Sequence, residues 1–404
     1  MHSLFFADDS LTLADTEENA RKNIKILTKI SESFGLKINK EKSNILVYNS
    51  NENIKEIEGI QVTEKIKYLG ITIDNKKELF ESHKKDVLKR ATNFSNMIYL
   101  VTGKCVNRML MGKAYWKNLI LPSLLYGTGV MTFSSKEIGQ LQVIENSAYR
   151  RILEARSYTP ISAIRGEIGS SLMITRIMES KILLTKNILE GSNNLTKQIL
   201  RVSRKDKSNI FNKTLSEYLK KLNINFDEIS ILSKVNIKKR AREWDTEIWK
   251  EDMRGKSSLK IYREFKLKIK EEKFYDNRDS SDYLFQARTN TLPLNTAKRH
   301  TGGDTKCDLC NNENEDLIHF LIDCEGLEHK RKKEIMEKNK SQNKETMAGN
   351  MLFGKGDKEE IKSMIDLMWK FRLGKKIGNE NRKEVLKRKN QVKNKTNKER
   401  SSKT

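Results

Sequence analysis

Four residues in the last quarter of the chain constrain it most: Cys307-x2-Cys310-x8-His319-x4-Cys324. Two cysteines two residues apart can point at one ion from a tight knuckle. A histidine and a third cysteine beyond a short insert can complete a tetrahedron. Such spacing folds residues 307–324 back around a single point, with Leu317, Ile318, Phe320 and Leu321 as a small hydrophobic base. Four protein ligands close the site, so a Zn²⁺ held there is structural and its binding energy is also folding energy. Two alternatives stay open: His329 competes with His319 for the fourth position, and three buried cysteines beside an unrelated histidine would leave the same pattern. The remaining cysteine, Cys105, is isolated. This usage suits a metal site in a reducing compartment better than a disulfide framework.

At the other end, an apolar run, Leu4-Phe5-Phe6, reaches Asp8 and Asp9 and is followed by Leu11 and Leu13 alternating with polar residues. That pattern is strand, tight turn, strand, with carboxylates at the tip. Paired carboxylates on a rigid turn suit Mg²⁺, a hard ion that shares its oxygen ligands with substrate phosphates. Aspartate is equally an ordinary turn residue. Asp15 with Glu18 predicts a capping box, then a helix whose stripe is Ala20, Ile24, Leu27, Ile30 and Phe34, ended by Gly35. Residues 36–38 and 44–47 read as strands in the sheet that carries Asp8 and Asp9. Residues 66–73 alternate apolar and polar and read as one further strand, weakened at Gly70.

From Lys76 the period becomes helical. Phe80, Val87, Ala91, Phe94, Ile98 and Val101 make one stripe, a second helix runs through Met109, Leu110 and Ala114, and Pro122 marks a break. A third helix starts at Ser134, capped with Glu137, and runs through Leu141, Ile144, Ala148 and Ile152. Three such helices make a bundle, with Lys84, Lys85, Lys89, Arg90, Arg150 and Arg151 on its polar faces. Residues 190–290 are helical and charged. There Lys238, Lys239, Arg240 and Arg242 precede Trp244, and Trp244 and Trp249 are placed for packing. A last helix carries Ile361, Met364, Leu367, Met368 and Phe371. The Lys/Asn-rich tail from about residue 380, with Lys387-Arg388-Lys389, has nothing to bury. The fold class expected is α+β.

The formal charge of +25 over 404 residues points to a polyanionic partner, nucleic acid first. A lysine- and asparagine-rich composition from A/T-rich coding is the other source of that charge. No stretch approaches the ~20 apolar residues of a membrane span, and Met1 leads directly into a strand without a secretory signal. The expectation is an intracellular protein with no membrane partner.

Phe6-Ala7-Asp8-Asp9 resembles the F/Y-x-D-D box of reverse transcriptases, most closely those of non-LTR (LINE-type) retrotransposons. Further matches follow in order: Gly35-Leu36-Lys37-Ile38-Asn39 with Lys42, then Tyr68-Leu69-Gly70-Ile71, Leu125-Tyr126-Gly127, Arg150-Arg151-Ile152-Leu153 and the Cys/His cluster. The resemblance implies an RNA-directed DNA polymerase with Asp8 and Asp9 on Mg²⁺ and Lys42 protonating pyrophosphate. It also implies a primer grip at Tyr68, Leu69 and Gly70, and Lys89, Arg90, Arg150, Arg151, Arg240 and Arg242 on nucleic acid. The family's Cys-Cys-His-Cys order favours His319 over His329 as a zinc ligand. Template RNA and primer or target DNA are the implied partners, and the nucleus the implied location.

On this resemblance, residues 1–75 are part of a palm, 76–190 a thumb, 191–300 a basic helical connector, 301–335 the zinc module, 336–379 a helical segment and 380–404 a disordered tail. A polymerase of this family also needs a third aspartate on a preceding strand, and fingers. The chain corresponds to the family's carboxy-terminal portion, expected to be inactive alone, with the amino-terminal palm and fingers as possible partners. The competing expectations are a noncatalytic nucleic-acid-binding protein and a relic of a mobile element.

Overall fold

The computed structural model describes residues 2–49, 54–103, 107–276, 278–354 and 356–375. Cys105 and the tail with Lys387, Arg388 and Lys389 lie outside the described residues. The fold is α+β: among the described residues the strands are confined to residues 2–74, which also hold one helix, and the rest is helical.

β1 (His2–Phe6) and β2 (Asp9–Leu13) pair antiparallel, from His2 opposite Leu13 to Phe6 opposite Asp9. Among the described residues they form a sheet of their own. α1 (Glu17–Ser33) follows. Its cap is one residue later than predicted: Thr16 has the extended backbone, and its hydroxyl accepts the Asn19 N–H at 3.1 Å. Asp15 accepts from the Asn19 side chain at 2.7 Å instead. Gly35, at φ +72°, ends the helix as expected.

The larger sheet predicted around Asp8 and Asp9 does not form. Residues 36–38 are in no strand. β3 (Asn44–Ile45) pairs parallel with β5 (Ile60–Val62), which β4 (Glu56–Ile57) flanks on its other side. α1 leans on β4, where Arg21 meets Glu58 at 2.9 Å. With no broad sheet face beneath it, the helix leaves Ile30 and Phe34 47% and 76% exposed.

Residues 66–73 are two strands and not one. β6 (Lys65–Tyr68) and β7 (Ile71–Asp74) join through Leu69 and Gly70, whose φ values are 47° and 82°. Two positive φ angles give the tight turn whose twist matches antiparallel strands. A two-residue turn keeps the period-2 alternation in phase, which is why the sequence reads through it.

α2 (Glu81–Thr102) buries Val87, Ala91 and Ile98 from its predicted stripe. α3 (Arg108–Tyr115) runs through a π-helical turn at Trp116–Ile120 into α4 (Leu121–Leu125). Pro122 therefore does not end the helix; it follows directly on the π-helical turn, the kind of local rearrangement that accommodates a proline's missing N–H within a continuous helix. α5 (Ser135–Ile152) opens on the predicted capping box of Ser134 and Glu137. α2, α3 and α5 pack together.

α6 (Ile161–Ile168), α7 (Met173–Glu190), α8 (Asn194–Lys205), α9 (Ile210–Lys221) and α10 (Lys234–Arg254) follow, and all but α8, which packs on α7, join α2, α3 and α5 in a core that reaches from Val87 to Phe285. Trp244 and Trp249 pack, as expected. Trp249 is fully buried with its indole N–H on the Ser162 carbonyl at 2.6 Å, and Trp244 is half-buried against the core.

α11 (Lys260–Phe265), α12 (Asp279–Arg288), α13 (Lys333–Lys338), α14 (Lys344–Phe353) and α15 (358–375) follow. A second core runs from Leu284 to Trp369 and takes in the Cys/His segment. A buried polar seam links the helices of the two cores. Glu167 on α6 accepts from Arg288 Nε at 2.9 Å, Arg288 Nη2 at 3.0 Å and Tyr262 Oη at 3.0 Å.

Candidate metal centre and carboxylate hairpin

Cys307, Cys310, His319 and Cys324 converge, with their ligand atoms all within 4.8 Å of one another. A tetrahedral zinc with Zn–S bonds of about 2.3 Å has sulfur–sulfur edges of about 3.8 Å. Here Cys307 and Cys324 are 3.7 Å apart, Cys324 and Cys310 3.8 Å, and Cys310 Sγ and His319 Nε2 3.3 Å. The donor set and its spacing therefore fit Zn²⁺. His329 is elsewhere, edge-on to Phe371 with ring centres 4.9 Å apart.

Burial pushes the Cys307 thiol up to about 12, raises Cys324 and lowers His319. Buried thiols of this kind keep their protons unless a cation supplies compensating charge. The Leu309 N–H donates to Cys307 Sγ at 3.5 Å, and the His319 N–H to Asp316 Oδ1 at 2.8 Å. His319 opens a π-helical turn, His319–Asp323, whose Leu321 carbonyl accepts from Arg331 Nε at 2.9 Å.

The knuckle is braced from the far end of the chain. Arg372, on α15, grips both carboxylate oxygens of Glu315; each residue is 1% exposed. Glu315 Oε1 lies 3.8 Å from Cys307 Sγ, and Oε2 accepts the Asn295 N–H at 2.8 Å. Outer partners of this kind fix the orientation of metal ligands. Neither residue stands out in the sequence: Arg372 is one of 79 basic side chains, and only the folded helix shows which acid it meets.

Asp8 lies in the turn between β1 and β2, and Asp9 opens β2; both are exposed. Carboxylates offer the hard oxygens Mg²⁺ takes, and one or two can suffice because this ion keeps several waters. Among the described residues, no group of three or more ligating side chains includes them. Lys42 lies exposed in a turn, its N–H on Asn39 Oδ1 at 3.1 Å.

Two of the ordered motifs meet. The Tyr126 hydroxyl donates to the Leu69 carbonyl at 2.8 Å, beside Gly70 in the turn between β6 and β7. Tyr68 ends β6 half-buried.

The basic residues divide into two groups. Lys89, Arg90 and Arg242 are exposed. Arg150 donates to the carbonyls of Arg156 and Thr159, each at 2.8 Å, and Arg151 to that of Ser95 at 2.5 Å. Arg240 holds the Asn223 carbonyl at 2.7 Å. Lys84, read from sequence as a surface cation, is buried, with Glu137 at 3.0 Å and Glu78 also in contact.

Residues 1–73 match the family model described as reverse transcriptase (RNA-dependent DNA polymerase). The match likens this stretch to a reverse transcriptase region, a family that acts on nucleic acid. No curated protein matched the chain, and no solved structure did. Among the described residues, no helix is long and apolar enough to cross a membrane.

Proposed function

We propose that the chain works as the carboxy-terminal part of a non-LTR retrotransposon reverse transcriptase, an RNA-directed DNA polymerase acting in the nucleus on template RNA and primer or target DNA. The family match over residues 1–73, which includes the Asp8-Asp9 hairpin near its start, carries this reading. Residues 1–75 are then part of a palm, 76–190 the thumb, 191–300 the connector, 301–335 the zinc module and 336–379 its helical extension.

In this reading Asp8 and Asp9 hold Mg²⁺, which aligns the attacking oxygen and neutralises the leaving group when bound. Lys42 protonates pyrophosphate. Tyr68, Leu69 and Gly70 hold the primer end, and the Tyr126–Leu69 hydrogen bond keeps their turn in place. Lys89, Arg90 and Arg242 contact phosphates directly. Arg150, Arg151 and Arg240, anchored on backbone carbonyls, act through their remaining N–H groups, since a guanidinium has five. Zn²⁺ on Cys307, Cys310, His319 and Cys324 shapes the far end.

The exposure of Asp8 and Asp9 without a third ligating group among the described residues favours a second reading, noncatalytic binding of nucleic acid. The zinc-loaded chain, given a DNA primer on an RNA template, separates the two. Binding that weakens with salt, and Mg²⁺-dependent extension only once a palm segment with another aspartate is supplied, is the outcome expected of the polymerase. Binding unchanged by Asp8→Ala and Asp9→Ala, with no extension under any complementation, would leave the noncatalytic reading. No affinity for RNA or primed duplex would dismiss both.

A further inference from the structure

We infer that a cleft of about 480 Å³ beside the N-terminus of α7 is a binding site for the phosphate of a single nucleotide. The inference rests on the nucleic-acid reading for the source of that ligand. Its wall is formed by the π-helical turn before α4, residues 169–171, α10 and residues 269–271. That volume lies within the usual range of small-ligand sites, roughly 300–1,000 Å³.

Charge is the first argument. The acids around the cleft are already matched. Asp245 takes Arg165 at 2.7 Å, Glu271 takes Lys113, and Glu145 behind the floor takes Arg176 at 2.6 Å. Lys117, Arg242 and Lys270 also line the cleft, and among the described residues their side chains have no ion pair or hydrogen bond. Lys117 and Lys270 are thus left facing one space, joined by Arg242, whose charge is partly offset by Glu179 on α7. Burial, together with the like charges of Lys117 and Lys273, pulls Lys113 below its ordinary range despite Glu271.

Shape is the second. Gly169 has φ +76°, and a Cβ there would lie 2.4 Å from the Glu271 nitrogen. That close approach, fixed by the Glu272 N–H on the Glu167 carbonyl at 2.9 Å, holds Lys270 at the mouth. The floor is rigid. Trp116 and Tyr149 both donate to Glu145 Oε1, at 3.1 and 2.8 Å, and meet edge to face at 5.8 Å. Leu121 and Ile269 add an apolar wall suited to a sugar or base, and Ser171 lines the space beside the start of α7, whose Leu172 and Met173 N–H groups are already taken by Asp245 and Gln142. The space is a compact cleft and not a groove, so it suits a strand end or a free nucleotide more than a duplex.

The test uses the zinc-loaded full chain. AMP and inorganic phosphate are titrated by calorimetry, and a 5′-phosphorylated single-stranded RNA 12-mer by fluorescence anisotropy across salt. Arg242→Ala/Lys270→Ala is expected to weaken AMP and 12-mer binding at least tenfold. It should also reduce the salt slope by about 0.7, the value for losing the one phosphate contact in a single strand. Lys117→Ala should reproduce half of that change. Thermal melts of both variants, altered only at exposed side chains, check folding.

Displacement of the 12-mer by AMP supports a strand-end seat. AMP binding that the variants lose while the 12-mer ignores them supports a free nucleotide. Wild-type affinity for both ligands in both variants overturns the cleft and the phosphate contact of Arg242, and leaves the rest of the polymerase reading standing. AMP binding with no oligonucleotide affinity overturns the polymerase reading and leaves the cleft.

Discussion

At the amino end, Asp8 and Asp9 stand exposed at the tip of a hairpin that pairs with no other strand among the described residues, beside Leu4, Phe5 and Phe6, which are more than half exposed. At the far end, three cysteines and a histidine of comparable chemical importance are folded into a core and gripped through Glu315 by an arginine on the last described helix. Both are sets of side chains able to ligate a metal, each announced by a short motif. Only the second makes its own surroundings, because three thiolates and an imidazole enclose an ion without outside help, whereas two carboxylates leave most of a coordination sphere open.

The comparison breaks most readily at the metal. Chelation at neutral pH, or Cys307→Ser with Cys324→Ser, should abolish stoichiometric zinc and expose amides of residues 306–327 to fast hydrogen exchange. Apparent zinc-binding energies on the order of 10 kcal/mol underlie such sites. The hairpin's exchange should not change. Retention of full protection in the metal-free chain would remove the contrast.

Arg372→Ala comes next. Stranding buried Glu315 should lower unfolding free energy by about 3–5 kcal/mol, while Glu315→Met with Arg372→Leu should recover most of that, as measured in urea. Between the two ends, Lys181 on α7 is fully buried, its ammonium on the Gly129 carbonyl at 3.2 Å. Burial lowers it from 10.5 to about 7. The unfolded chain therefore binds the extra proton between those values, and stability rises with pH from about 7 to 10.5. The slope should be up to about 1.4 kcal/mol per unit, and Lys181→Met should remove it.

Smaller effects belong to the amino end. Tyr126→Phe, which deletes the bond to Leu69, should cost about 1 kcal/mol and speed exchange in the turn between β6 and β7. Asp8→Ala and Asp9→Ala should change stability by less than about 0.5 kcal/mol, as exposed positions do. A larger loss in thermal melts would mean that the carboxylates have structural partners.

What could be read beforehand follows from how local each signal is. The zinc ligands lie within one short segment whose spacing is itself the geometry, and the Ser134–Glu137 box is settled within a single turn. Thr16 displaced Asp15 as the cap because both side chains can cap and the backbone decides by one residue. The turn at Leu69 and Gly70 kept the strand alternation in phase and so stayed hidden. The Glu315–Arg372 pair and the cleft around Arg242 and Lys270 are assembled from elements far apart in sequence, and a strongly basic chain offers no means of telling a matched cation from a free one. Lys84 shows the converse: a lysine on a helix face that proves to be buried.

The brace also orders events in time. Cys324, the last of the four ligands, precedes Arg372 by 48 residues, and at about 5–20 residues per second a ribosome finishes the set roughly 2–10 seconds before the arginine exists. During that interval the thiols can meet metal while the acid beside them still faces water. A zinc ion bound in that interval would be captured first and locked in afterwards, so a shortage of zinc during synthesis is expected to do more harm than the same shortage after the last helix has closed.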